Sequence, residues 1–120
     1  MTNPQELKNR LIQFTIDILN LTKKLPKSME NEIFSRQIIR SASSVGANYS
    51  EAMFAHSRVE FIHCLNISRK EANETIYWLE VIEKANSPKL NVEINPLIDE
   101  STSLLKIFIS SIKTAKSKIS

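Results

Sequence analysis

A chain of 120 residues with one glycine, four prolines and one cysteine is poor material for a turn-rich β protein and cannot close an internal disulfide. Its formal charge of +3 is a weak signal taken alone, and no apolar run approaches the roughly 18 residues of a membrane span. The segment Met1 to Glu6 has neither the charged nor the apolar region of a secretory signal, and a lone Cys64 suits a reducing compartment, so the expected location is cytoplasmic.

The first helix is expected over about residues 4–25. Asn3 precedes Pro4, a cap residue followed by proline at the first helical position. Leu7, Leu11, Phe14, Ile18, Leu21 and Leu25 then alternate at steps of four and three, a heptad stripe that ends at Pro26. Ser28 caps a second helix over about 29–54, with Phe34, Ile38, Ala42, Val45, Tyr49 and Ala52 inward. Ser57 and Glu60 form a capping box at the start of a third helix, about 58–86. Its stripe is Phe61, Leu65, Ser68, Ala72, Thr75, Leu79 and Ile82, closed by Asn86-Ser87-Pro88. Asn95-Pro96 offers a cap-plus-proline start for the fourth helix, with an earlier start at Asn91 as the alternative, and its expected span is about 92–118. Its expected stripe is Ile98, Leu105, Phe108, Ile112, Ala115 and Ile119. Heptad helices joined by short loops predict an all-α, antiparallel up-down-up-down four-helix bundle in one domain.

Two helices carry apolar residues beyond the core stripe. Ile12, Ile16 and Leu19 lie roughly opposite Leu7, Phe14 and Leu21, and Val59, Ile62, Tyr77 and Val81 face away from the third stripe. Aligned apolar side chains on an outer face mark an interface. The two helices stand on opposite corners of a bundle, so two different faces there suit a head-to-tail contact between copies of the chain, which closes into a ring where the rotation permits; a two-fold dimer through one face is the alternative. The only glycine, Gly46, sits inside the second helix, where it costs about 1 kcal/mol against alanine. Close approach by another helix is the expected compensation.

Charge is unevenly spread: residues 101–120 hold four basic and no acidic side chains, whereas 51–100 hold five and nine. Lys8, Arg10, Lys113, Lys116 and Lys118 should gather at one end of the bundle with Arg58, a basic rim suited to sequence-nonspecific contact with RNA or DNA phosphates. Chemistry is harder to find. Glu60 and His63 have the spacing of half a di-iron site, but the second pair is missing. His63 and Cys64 are adjacent, hence splayed apart on a helix, and no nucleotide loop or catalytic triad is present. The expected protein is not an enzyme and needs no metal or cofactor.

The stretch Arg40-Ser41-Ala42-Ser43-Ser44-Val45-Gly46-Ala47-Asn48, the pair Glu60-Phe61 and the run from Ser68 to Leu79 resemble the bacterial four-helix bundle proteins encoded in intervening sequences of 23S ribosomal RNA genes. The accessory variability determinant of diversity-generating retroelements belongs to the same group. The resemblance covers roughly residues 5–115 and implies a homopentameric barrel of bundles. It implies nucleic-acid association, alongside a reverse transcriptase, for the retroelement branch, and no established activity for the intervening-sequence branch. Ala52 stands after Glu51 where many members have glycine. Arg40 and Glu74 match charged positions of the motifs and are expected at a helix or subunit contact. An alternative reading is an adaptor whose outer apolar face takes a polymerase-type protein.

Overall fold

The computed structural model describes residues 3–119. Met1 and Thr2, part of the chain start read above for a signal, lie outside them, as does Ser120. Four helices follow one another: α1 Pro4–Lys24, α2 Met29–Ala52, α3 Arg58–Ala85 and α4 Asn91–Ser117, the last preceded by a 3-10 turn at Pro88–Leu90. Among the described residues there is no strand.

The starts follow from local chemistry. Asn3 Oδ1 accepts from the Gln5 N–H at 2.8 Å and the Glu6 N–H at 3.4 Å, supplying acceptors for two amides that a helix leaves unpaired. Ser28 Oγ does the same for Asn31 at 3.1 Å. At α3, the Glu60 N–H donates to Ser57 Oγ at 3.1 Å, while the Glu60 carboxylate accepts from the His56 N–H at 3.0 Å, one residue before the usual partner of a capping box. Of the two starts expected for α4 the earlier holds, at Asn91, and no side chain caps it. Ser87 caps the preceding 3-10 turn, its hydroxyl accepting from the Lys89 N–H at 3.2 Å, and Pro96 lies inside α4. A proline so near the N-terminus forfeits a single ladder bond, to the Val92 carbonyl, and the helix tolerates it.

Side-chain ties show the chain direction. Tyr49 Oη, late in α2, donates to the Pro4 carbonyl at 3.4 Å; Lys24 at the end of α1 pairs with Glu93 at the start of α4 at 3.3 Å. Asn31 and Asn86 exchange two amide hydrogen bonds of 2.9 and 3.0 Å between the start of α2 and the end of α3. The bundle is therefore up-down-up-down, with α1 and α3 on one diagonal, and it measures 50 × 23 × 22 Å.

The core runs the length of the bundle and includes Phe14, Ile18, Ile38, Leu65, Leu79, Leu104 and Phe108. Contact is densest between α2 and α3 and sparsest between α1 and α4. Small residues explain the difference. Ser41, Ala42, Ser68, Ala72, Thr75 and Ser101 are fully buried, and their hydroxyls bond across helices: Ser68 Oγ to the Val45 carbonyl at 2.8 Å, Ser101 Oγ to that of Ala72 at 3.0 Å, and Ser41 with Thr75 at 2.9 Å. Each hydroxyl is satisfied, so burying it carries little penalty, and the backbones close up around α3.

Two stripes depart from expectation. Ile62, expected on the outer face of α3, is 8% exposed and belongs to the core, while Phe61 is only partly buried. In α4 the buried row is Ile94, Leu97, Ser101, Leu104, Phe108, Ile112 and Ala115; Ile98 and Leu105 flank it and Ile119 is exposed. The row is a continuous step-of-three-and-four pattern once α4 starts at Asn91.

Candidate assembly and nucleic-acid interface

The seam between α1 and α2 opens into an apolar groove of about 260 Å³. Ile12 and Ile16 stand on its α1 side, 54% and 43% exposed, with Leu19 half-buried beyond them. On α2 the groove is lined by Ser43, Gly46, Ala47 and Ser50, and Lys8 stands at one end. Residues three and four apart share a helix face, so this run of small side chains makes one continuous shallow track. A Cβ added at Gly46 would meet the Leu11 Cβ at 3.4 Å, the edge of ordinary contact. Helix α1 does approach Gly46, as expected, but not closely enough to demand glycine.

The outer face of α3 is less continuous than the sequence suggests. Val59 and Tyr77 are exposed but stand five turns apart, about 27 Å along the axis. Val81 is half-buried, and Ile62 has left this face for the core. Tyr77 packs edge-on against Trp78, with centroids 5.0 Å apart, and Trp78 in turn lies beside Phe34. Arg40 and Glu74 meet within one chain: the Arg40 guanidinium bridges Glu74 and Glu71, the latter at 3.2 Å, clipping α2 to α3. The Trp78 indole N–H donates to the same Glu74 carboxylate at 3.0 Å.

At the end holding the α1 start and the α4 terminus, Lys8, Arg58, Lys113, Lys116 and Lys118 are all exposed. Arg10 is not free with them. Its guanidinium makes two 2.7 Å bonds to the Glu100 carboxylate and a third to Ser103 Oγ. Hydrogen bonding to Glu100 holds the guanidinium pKa above its ordinary value, so Arg10 is a structural cation. Glu6, Glu51 and Glu60 share this end. One exposed aromatic here escaped the sequence reading: Phe54, in the turn after α2, is 81% exposed. Its signal was the pair Met53-Phe54 just before the α3 capping box, past the last inward position Ala52.

No catalytic geometry appears in the described residues. Burial pushes the Cys64 thiol up, and the Glu60 and Glu51 carboxylates push the same way, the opposite of nucleophile activation. No group of three or more His, Cys, Asp or Glu side chains among the described residues is placed to hold a metal. No helix among them is long and apolar enough to cross a membrane.

Residues 5–110 match the sequence model of the 23S rRNA-intervening sequence protein family. The chain belongs to that family. A Bacteroides thetaiotaomicron protein of unknown function from the S23 ribosomal protein family has a similar structure, with a TM-score of 0.80 and 38% identity over 92% of this chain and 97% of that one. Sequence similarity also extends to the heat-inducible transcription repressor HrcA of Staphylococcus aureus, 26% identical in strain JH9 and 25% in strain Newman over 109 residues. That match takes in 85% of this chain and 34% of the repressor, so this member of the intervening-sequence family spans about a third of the length of the curated relatives it matches.

Proposed function

We propose that this chain is a non-catalytic assembly module that associates with copies of itself through the α1–α2 groove, as a homopentamer, and offers a basic end to RNA or DNA. The observation that carries the reading is the groove with Gly46 in its lining. Alanine at that position would be tolerated by the chain's own packing and would favour the helix by about 1 kcal/mol. A glycine retained at that cost is accounted for by a partner that travels along the small-residue track. Ile12 and Ile16 would then be covered, and their exposed apolar surface explained.

The partner surface is the α3 corner of another copy, where Tyr77 projects. Because α1 and α3 stand on a diagonal, such a contact is head-to-tail and closes into a ring when the rotation permits. Five copies is the number the family resemblance suggests. A ring would repeat Lys8, Arg58, Lys113, Lys116 and Lys118 around one rim, where phosphate contacts add up.

Native mass by light scattering tests the assembly. Wild type should run as a pentamer and Ala47→Leu, which fills the track from an exposed position, as smaller species of unchanged helicity. A monomeric wild type would overturn the reading.

A further inference from the structure

Phe54 is an aromatic side chain that the bundle does not use. It is 81% exposed, yet its backbone is fixed on both sides. The Phe54 N–H donates to the Glu51 carbonyl at 3.0 Å and the Ala55 N–H to that of Ala52, a core residue, at 3.2 Å. Two residues on, the His56 N–H is held by Glu60, whose own N–H is held by Ser57. The ring therefore stands on an ordered mount while its faces remain in water. Such a platform loses little freedom on gaining a partner.

Its surroundings favour one kind of partner. Arg58 opens α3 four residues later, and α4 runs antiparallel beside α3, so Lys113, Lys116 and Lys118 belong to the same end. Of the acidic groups there, Glu60 is turned toward the His56 amide, while Glu6 and Glu51 stay exposed among the more numerous cations. The other large apolar side chains exposed at this end are Met53, Val59 and Ile119, too few for the apolar centre of a protein interface. Cations for phosphates and one open π-face for a base are the two elements of single-strand recognition, whereas a duplex hides its base faces.

We propose that Phe54 is a stacking platform for an unpaired base of a single-stranded nucleic acid whose phosphates follow Lys113, Lys116 and Arg58. The idea rests on the basic-rim reading above and adds to it the strandedness of the ligand.

The test is fluorescence anisotropy of a labelled oligoadenylate with the full chain, across a salt series. Phe54→Ala should weaken binding on the order of tenfold, as losing one base–aromatic stack does, and leave the slope of affinity against salt unchanged. Phe54→Trp should restore affinity. The paired variant Lys113→Glu, Lys116→Glu should instead flatten the slope. A loss confined to the RNA strand, or shared with its deoxy counterpart, supports the platform and names its strand type. Unchanged affinity for Phe54→Ala while the lysine variant weakens binding overturns the stacking and leaves the rim standing. No binding by wild type removes both. A change of native mass in Phe54→Ala would make the ring a subunit contact and end the proposal.

Discussion

Arg10 of α1 and Glu100 of α4, 90 residues apart in sequence, are joined by two parallel 2.7 Å hydrogen bonds. They form the principal clip across the loosest seam of the bundle, the α1–α4 seam. Toward the α1 start the seam gapes into a cleft of about 540 Å³ lined by Leu7, Tyr49, Leu65 and Ile107. Arg10→Ala should lower stability by about 1 kcal/mol, given that both partners are a third exposed. The melting temperature should fall by about 4 °C, with nucleic-acid affinity unchanged. A double-mutant cycle with Glu100→Gln measures the coupling, and additivity of the two losses would dissolve the clip.

Gly46→Ala separates packing from assembly. With 3.4 Å to Leu11 available, the folded chain should be neutral or up to about 1 kcal/mol more stable. Chemical denaturation of a dissociated sample reads that term alone; a large loss would show that α1 itself requires the glycine.

The amide pair Asn31–Asn86 is also held by the Pro26 and Ile82 carbonyls, which accept at 2.9 and 3.0 Å. Asn31→Ala strands its partner at the end of the bundle and should cost about 1–3 kcal/mol. Adding Asn86→Ala should then cost much less than it does alone. Urea melts of the three variants check the non-additivity.

Cys64 and Tyr49 predict an alkaline weakness. Burial raises both groups above their ordinary values, with Glu60 and Glu51 adding to the thiol's rise. Between the unfolded and folded pKa of each, the folded state binds more protons than the unfolded. Stability is therefore full below the ordinary thiol range and declines as pH climbs through and above it. Alkylation of native Cys64 should be slower than that of a free thiol and rise at higher pH. Free-thiol kinetics in the folded state would contradict the raised pKa.

Most of the bundle was legible in the residues because its determinants are local. Asn3, Ser28 and Ser57 name their helix starts through short-range bonds, and the α1 stripe from Leu7 to Leu25 is buried as its spacing demands. Where two local signals compete, legibility ends. Asn91 and Asn95-Pro96 both offer a start for α4, and the earlier one prevails because Ile94 and Leu97 then enter the core.

By itself, then, the sequence determined the four helices, their order and most of their inward faces, since periodicity and capping act within a few residues. Tertiary structure decided the rest. It sent Ile62 inward beside Phe61, took Arg10 out of the basic rim, joined Arg40 to Glu71 and Glu74 within one chain, and left Phe54 standing in solvent. In each case the deciding neighbour, or its absence, lies on another helix or beyond a turn. Side chains about 100° apart on one helix are equally good candidates until that neighbour arrives.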